Sequence, residues 1–226
     1  RLFLYPEGAS IKLREKIGEV HGLDPERIVC GAGSDELLQL LVRAYVGEGD
    51  NIIMSAHGFV VYALAAKSCG AEPRYAPEKN LTCDVNAMLE LVDGKTRAVF
   101  IANPNNPTGT YIPDADIRRL REKLREDIIL VIDAAYAEFM EESDYADGAA
   151  LVDEHPNVVM TRTFSKIYGL AALRLGWAYC PEAIADVLNR IRGPFNVNAP
   201  AIRAGVAALA DSAFIEKAAD HNEEWL

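Results

Sequence analysis

The stretch Thr161-Arg-Thr-Phe-Ser-Lys-Ile-Tyr-Gly-Leu-Ala-Ala-Leu-Arg-Leu-Gly-Trp177 places one lysine, Lys166, between hydroxyl residues and an arginine in a largely apolar segment. Burial lowers the pKa of an amine and increases its nucleophilic fraction, so this lysine is a candidate to hold a carbonyl cofactor such as pyridoxal phosphate (PLP). Thr163, Ser165 and Arg174 would then bind the phosphate through two hydroxyls and a bidentate guanidinium. For the segment alone, a strand followed by a loop with a solvated lysine is the alternative.

Around this segment, short β-rich runs alternate with helical patterns, and several of the runs are apolar throughout, as strands covered on both faces require. The alternation predicts a three-layer α/β/α fold with a mostly parallel central sheet. The predicted strands are 27–30, 51–55, 72–76, 97–102, 128–133, 158–163 and 175–180. The predicted helices are 10–21, 35–46, 60–69, 84–92, 114–126 and 181–192, with further helical pattern through 201–210 and 214–226.

The composition excludes several classes of protein. Of the 226 residues, 50% are hydrophobic and 25% charged, which is typical of a soluble globular chain, and the net charge of −11 repels nucleic-acid phosphates. The longest charge-free stretches, 51–66 and 98–113, are too short to span a bilayer, and no secretory signal is visible. The cysteines and histidines lack the spacing of a metal site or a disulfide framework, which favours a reducing cytoplasm.

The loop Asn103-Pro-Asn-Asn-Pro-Thr-Gly109 follows the apolar run 98–102. Its two prolines restrict the backbone, so the loop is rigid enough to present Asn106 as a donor to a cofactor oxygen. Asparagine, proline and glycine are also ordinary turn formers, and a turn without a site is the alternative.

Asp133 ends the aliphatic strand 128–133, where an unpaired carboxylate is costly and a cationic or donor partner is expected. A protonated pyridine nitrogen would be such a partner, and Tyr136 could then reach the phenolic oxygen of the same ring. An aspartate that caps the next helix is the alternative.

The segment Cys30-Gly-Ala-Gly-Ser-Asp-Glu36 runs from a predicted strand into a predicted helix. Its glycines allow close approach of the backbone, and the first amides of that helix form an anion site suited to a phosphate. The spacing matches neither a dinucleotide-binding nor a Walker motif, and a plain N-cap by Ser34 is the alternative. His57, at the end of another strand, is a candidate to stack on a flat cofactor, although a lone histidine is more often structural.

Together these segments resemble the class I/II aminotransferases of the PLP-dependent fold-type I group, most closely the histidinol-phosphate aminotransferases, from Leu4 to Trp225. The resemblance implies the large-domain fold of that group and PLP as the cofactor. It implies that Lys166 carries the cofactor and acts as catalytic base and acid, that Asp133 pairs with the pyridinium nitrogen and that Tyr136 contacts the ring oxygen O3′. The further cofactor ligands that it implies are Asn106, the amides of Ser34 and Asp35, the side chains of Thr163, Ser165 and Arg174, His57 at the stacking position, and Tyr5, which reaches the phosphate of the partner subunit.

The reaction that the resemblance implies is transamination between histidinol phosphate and 2-oxoglutarate in histidine biosynthesis, carried out by a homodimer. An aromatic amino-acid aminotransferase stays open, because these residues define PLP chemistry and leave the side-chain pocket undefined. A truncated PLP-binding protein without turnover also stays open, since family members extend further at both ends. We expect residues 1–212 to form the PLP-binding large domain without its N-terminal arm, and residues 213–226 to begin a helix leading to a small domain that is largely absent.

Overall fold

The computed structural model describes residues 3–225; residues 1–2 and 226, the outermost positions of the two predicted domain ranges, lie outside the described residues. In the described part, a seven-stranded sheet carries helices on both faces. Its strands are β1 (Ile28–Gly31), β2 (Asn51–Ser55), β3 (Glu72–Ala76), β6 (Thr96–Ala102), β7 (Ile129–Asp133), β8 (Val158–Thr163) and β9 (Gly176–Tyr179), while β4 (Glu78–Lys79) and β5 (Thr82–Cys83) form a separate hairpin.

The strands follow the spatial order β1-β9-β8-β7-β6-β2-β3. Every pairing from β8 across to β3 is parallel, whereas β9 runs antiparallel to both of its neighbours, β8 and β1. Strands β2, β7 and β8 are buried at every position, as expected for the middle layer of a three-layer fold. The predicted fold class, a three-layer α/β/α arrangement with a mostly parallel sheet, is confirmed.

Helices close to the predicted ones cover the two faces of the sheet, and α6 was not among those predicted. None of the helices in the described range is long and apolar enough to cross a membrane. The helices are α1 (Ile11–His21), α2 (Ser34–Tyr45), α3 (Val60–Ser68), α4 (Val85–Glu90), α5 (Asp114–Lys123), α6 (Ala149–Glu154), α7 (Glu182–Ile191), α8 (Ala199–Leu209) and α9 (Ser212–Trp225).

Each face of the sheet has its own hydrophobic core. On one face α1, α5, α6 and α8 supply fully buried residues such as Leu13, Leu120 and Leu151. On the other face α2, α3 and α7 supply residues such as Leu38 and Leu188. Since the sheet is covered on both sides, the loops at its two edges are the places left for a ligand. At one edge the parallel strands end and β9 begins, and the segments singled out in the sequence meet there.

Candidate active site at the carboxyl edge of the sheet

A cavity opens where β1, β6, β7 and β8 end. All the predicted site residues except His57 and Tyr5 line it, together with Phe59 and three small residues of the neighbouring loops. The segments that contribute these side chains are far apart in the chain, and the parallel strands bring them to one edge. The structure therefore gathers nine of the eleven predicted residues around one space.

One end of the cavity is the N-terminus of α2. Gly33 is the N-cap, with φ +84°, and no side chain caps the first turn, so the alternative of a cap by Ser34 is wrong. A Cβ on Gly33 would lie 2.5 Å from Nη2 of Arg174, and one on Gly176 would lie 2.3 Å from the backbone N of Ser34. The two glycines thus leave a cradle in which backbone amides and a guanidinium come together, as an anion site requires.

Arg174 closes this cradle. Its Nη1 donates to Oγ of Ser165 at 3.3 Å, and its Nη2 lies 3.0 Å from Oδ2 of Asp35. The guanidinium therefore offsets the acid that would otherwise repel an anion from the helix N-terminus. The hydroxyl of Thr163 accepts from the backbone N of Ser165 at 3.1 Å and donates to the carbonyl of Leu175 at 3.4 Å, so it also holds the loop that carries the other ligands.

Asp133 lies at the floor of the cavity and is 4% exposed. Its Oδ2 accepts from the hydroxyl of Tyr62 at 2.7 Å and its Oδ1 from the hydroxyl of Thr161 at 3.0 Å. Burial raises the pKa of Asp133, although these hydrogen bonds and the nearby Lys166 oppose the shift. Neither oxygen accepts from a helix amide, so the helix-capping alternative is wrong, and within the described range no arginine or lysine pairs with the carboxylate.

Lys166 lies between these two ends of the cavity. Its side chain is half-buried, and its Nζ lies 4.8 Å from the centre of the Tyr136 ring. Within the described residues the ammonium makes no salt bridge, in contrast to the many paired arginines of the surface. An amine without an internal partner, next to a phenol and facing open space, is free to react with a bound carbonyl compound.

His57 does not line the cavity, which corrects the stacking role expected for it. Its imidazole is 59% exposed and turns away to Glu78, whose Oε2 lies 2.7 Å from Nδ1. Phe59, two residues further along the same turn, lines the cavity instead. Tyr5 also lies outside the cavity, since it is 81% exposed and its ring stacks on Phe195 at 4.6 Å.

Sequence reasoning missed three residues of this site, namely Phe59, Tyr62 and Thr161. The first two are three positions apart at the start of a predicted helix, a spacing that places both on one face, and their rings meet edge to face at 5.8 Å. That spacing was a usable signal. Thr161 is opposite Asp133 only because β7 and β8 pair in this register, which the sequence does not reveal.

The donor set fits a phosphorylated pyridine aldehyde such as PLP. The glycine cradle with Arg174 suits a phosphate, and the free amine of Lys166 suits an aldehyde carbon. The buried carboxylate of Asp133, which lacks a cationic partner among the described residues, suits a protonated ring nitrogen. All three features line the same cavity.

The chain matches a family model described as aminotransferase class I and II over residues 1–225. It is 61% identical over 221 residues to the histidinol-phosphate aminotransferase of Rhodospirillum rubrum, a match that covers 98% of this chain and 60% of that protein. It is 58% identical to the enzyme of the same name from Maricaulis maris, with 100% of this chain and 62% of that protein covered. The chain thus spans about 60% of the length of these curated relatives.

Solved structures are similar over nearly the whole chain. The crystal structure of histidinol-phosphate aminotransferase from Sinorhizobium meliloti in complex with pyridoxal 5′-phosphate superposes with a TM-score of 0.92 at 28% identity, covering 96% of this chain and 59% of that one. An aromatic aminotransferase from Pyrococcus horikoshii superposes with a TM-score of 0.88 at 23% identity, covering 99% and 64%. At that identity the second likeness concerns the fold alone.

Proposed function

The chain belongs to the class I and II aminotransferase family, and from this premise we propose that its protein is a PLP-dependent histidinol-phosphate aminotransferase. The proposed reaction transfers an amino group between histidinol phosphate and 2-oxoglutarate in histidine biosynthesis. The observation that carries the chemistry is the cavity in which a free lysine amine and a buried carboxylate without a cationic partner accompany an anion cradle. The substrate assignment is supported by the relatives at 58–61% identity, which bear that name.

The residues that would hold PLP divide into three groups. The amides of Ser34 and Asp35, with Ser165, Thr163 and Arg174, would bind the phosphate. Lys166 would carry the cofactor covalently, and Asp133 would pair with the ring nitrogen. Asn106, Tyr136 and Phe59 would fix the ring, with Phe59 in place of His57 as the residue packed on its face. When bound, PLP supplies an electron-accepting ring that stabilises negative charge developing on the substrate α-carbon.

The chain's own residues supply the proton transfers and the orientation. Nζ of Lys166 would act as the base that removes a proton from the substrate α-carbon and, once protonated, as the acid of the reaction. Asp133 would favour a proton on the ring nitrogen, because a positive charge facing its buried carboxylate would offset the burial that raises its pKa. Tyr62 and Thr161 keep that carboxylate in place by donating to its two oxygens. Tyr136, whose ring centre lies 4.8 Å from Nζ of Lys166, would donate a hydrogen bond to the ring hydroxyl oxygen.

The wider setting of the protein is also proposed. We retain the domain division expected from the sequence, with a large domain at 1–212 and the beginning of a segment toward a small domain at 213–226. A homodimer and a cytoplasmic location are likewise proposed. Support for the homodimer is the exposed Tyr5, which lies outside the cavity of its own chain and is free to reach a second copy. Support for the family's substrates, an amino donor and a 2-oxo acid, is the family match itself.

The experiment that tests the function is a comparison of amino donors on the full-length protein loaded with PLP. We expect kcat/KM for histidinol phosphate to exceed that for phenylalanine or tyrosine by about 100-fold or more, because a substrate pocket specific for histidinol phosphate would keep groups that pair with the substrate phosphate, and an aromatic donor would leave those groups unpaired. A preference for the aromatic donors would replace the substrate assignment. PLP bound without amino transfer to any donor would instead support a cofactor-binding protein without turnover.

A further inference from the structure

Glu78, the first residue of the β4–β5 hairpin, holds a carboxylate that the proposed chemistry does not use. Only 4% of its side chain is exposed. Oε1 accepts from the hydroxyl of Ser55 at 2.6 Å and from the backbone N of His57 at 3.0 Å, and Oε2 lies 2.7 Å from Nδ1 of His57. One buried carboxylate therefore gathers three donors from a single short turn.

That turn leads from β2 to the cavity. The backbone N of Gly58 donates to the carbonyl of Ser55 at 2.9 Å, and Phe59 follows as the N-cap of α3 on the cavity wall. One helical turn later the hydroxyl of Tyr62 reaches Asp133. The placement of both aromatic residues thus depends on the path of the backbone through 55–58.

The same turn is joined to the asparagine loop. Nδ2 of Asn105 donates to the carbonyl of His57 at 3.3 Å, and Asn105 directly precedes Asn106 on the cavity wall. The hydroxyl of Thr110, at the other end of that loop, donates to the carbonyl of Leu81 at 2.7 Å, in the tip of the hairpin. The hairpin therefore contacts both segments that flank this side of the cavity.

The charge on Glu78 strengthens these contacts. Burial alone would raise the pKa of its carboxyl, but the hydrogen bonds from Ser55 and from His57 outweigh burial and hold the pKa below its usual value. Hydrogen bonds to an ionised carboxylate are about twice as strong as those between neutral groups. Replacing the carboxylate by an amide of the same shape would weaken them and introduce a donor where acceptors are needed.

We propose that Glu78 is a positioning residue for the cofactor cavity: it fixes the turn 55–58 and, through it, Phe59 and the loop of Asn106. The part of this proposal that concerns PLP rests on the proposed function, whereas the rigidity of the turn does not. Glu78 itself lies outside the cavity lining, so its effect passes entirely through the residues that it holds.

The test compares Glu78→Gln with Asp93→Asn in the full-length protein. Asp93 lies at the opposite end of β2 and is also a carboxylate with several donors. Its Oδ1 accepts from Nδ2 of Asn51 at 2.9 Å and from the backbone N of Lys95 at 2.8 Å, and its Oδ2 lies 2.8 Å from Nη1 of Arg74. Each substitution removes one negative charge from a carboxylate that accepts hydrogen bonds at one end of β2. Only the end held by Glu78 faces the cavity.

Two measurements are made on each variant. Amide hydrogen exchange without PLP should accelerate by about tenfold in segments 56–59 and 103–110 of Glu78→Gln and remain unchanged there in Asp93→Asn. The dissociation constant for PLP, followed by its absorbance, should rise by about tenfold for Glu78→Gln alone. Ser55→Ala, which removes a single donor, should give a smaller change in the same segments and serves if Glu78→Gln does not fold.

Equal exchange in the wild-type protein and Glu78→Gln within 56–59 and 103–110 would overturn the proposal, as would equal acceleration of both segments by Asp93→Asn. If the wild-type protein binds no PLP, the proposed function fails while the exchange measurement still decides whether Glu78 holds the turn. If exchange accelerates and PLP affinity does not change, the positioning role is overturned.

Discussion

At the amino edge of the sheet, where β2, β6 and β7 begin, acids and arginines pair with one another. At the carboxyl edge, where the same strands end, Asp133 is buried without a cationic partner among the described residues. Arg97 at the amino edge lies 3.2 Å from both Asp50 and Asp127, which precede neighbouring strands. The two edges use the same residue types for opposite purposes. The charges of these residues at the amino edge are satisfied within the chain, whereas Asp133 and Lys166 at the carboxyl edge have no salt-bridge partner among the described residues.

The pKa of Asp133 is shifted in the direction opposite to the pKa shifts of two carboxyls at the amino edge. At the amino edge, a hydrogen bond from Arg125 lowers the pKa of Asp127, and one from Asn51 lowers the pKa of Asp93. At the carboxyl edge, burial raises the pKa of Asp133. A carboxyl whose pKa is perturbed inside a cavity is a candidate functional group. Substitutions at each edge test this contrast.

The largest effect is expected from Lys166→Ala at the carboxyl edge. Loss of the amine removes both the covalent attachment of PLP and the acid and base, so turnover should fall by about 10⁴-fold or more. Borohydride reduction of the wild-type protein followed by peptide mapping should place the pyridoxyl label on Lys166. A label on another lysine, or near-normal turnover in the variant, would remove Lys166 from its proposed role.

Asp133→Asn should lower turnover by about 100-fold while leaving part of the PLP bound, because the phosphate cradle is intact and only the charge facing the ring nitrogen is lost. Steady-state kinetics and the cofactor content of the purified variant measure the two effects. A kcat close to that of the wild-type protein would contradict the pairing with the ring nitrogen.

In the cofactor-free protein, Asp133→Asn should not lower the free energy of unfolding at neutral pH. Because the folded-state pKa of Asp133 is raised, the folded state binds a proton more readily than the unfolded chain, and stability falls as pH rises from the unfolded pKa through the folded one. Asp133→Asn removes that loss, so at neutral pH the cofactor-free variant should be as stable as the wild-type protein or more so. Urea unfolding at about pH 4 and pH 7 measures the difference. A large loss of stability at neutral pH would contradict it.

Phe59→Ala should weaken PLP binding by about 0.5–1.5 kcal/mol, since it removes the aromatic ring on the cavity wall. The matched control is Phe195→Ala, which removes an exposed aromatic residue that packs on Tyr5 outside the cavity. Titration of the cofactor-free proteins with PLP gives both affinities. Equal PLP affinities for the wild-type protein and Phe59→Ala would contradict the proposal that Phe59 packs on the ring.

The smallest effect is expected at the amino edge. Asp127→Asn removes an exposed partner of Arg97 and Arg125, and exposed pairs contribute only about 0.2–1 kcal/mol. Because the pKa of Asp127 is lowered in the folded state, this contribution is present at neutral pH and is lost as pH falls through the folded pKa. Turnover should not change. The effects of Asp127→Asn and Asp133→Asn on stability should therefore depend on pH in opposite directions. The same direction for both variants would contradict the contrast between the two edges.

The sequence predicted the layers of this fold well because fully apolar strands and amphipathic helices differ in period and length. The direction of β9 was not predicted, although a signal existed: parallel neighbours usually need a helical crossover, and the chain between β8 and β9 contains only a short 3₁₀ turn, Ala171–Leu173. The antiparallel return of β9 follows from that missing helix.

The sequence predicted that residues meet at the cavity where a motif ends or closely follows a strand, as for Asp133 and Lys166. They were not predictable where the side-chain direction depends on a distant partner. His57 and Phe59 lie in one turn, and which of them faces the cavity is decided by Glu78, some twenty residues further along the chain.

The reversed direction of β9 also governs how the two cationic residues of the site are tethered. Thr163 and Gly176 pair across β8 and β9, and the backbone N of Phe164 donates to the carbonyl of Leu175 at 3.0 Å. The chain between these anchors is a closed loop whose ends are held one strand spacing apart, so it has little freedom to lose when a ligand binds. Lys166 and Arg174 both belong to that loop. The positions of the amine and the guanidinium are therefore set by one closed loop, so a ligand bound at Arg174 would meet the amine of Lys166 at a separation that this loop fixes.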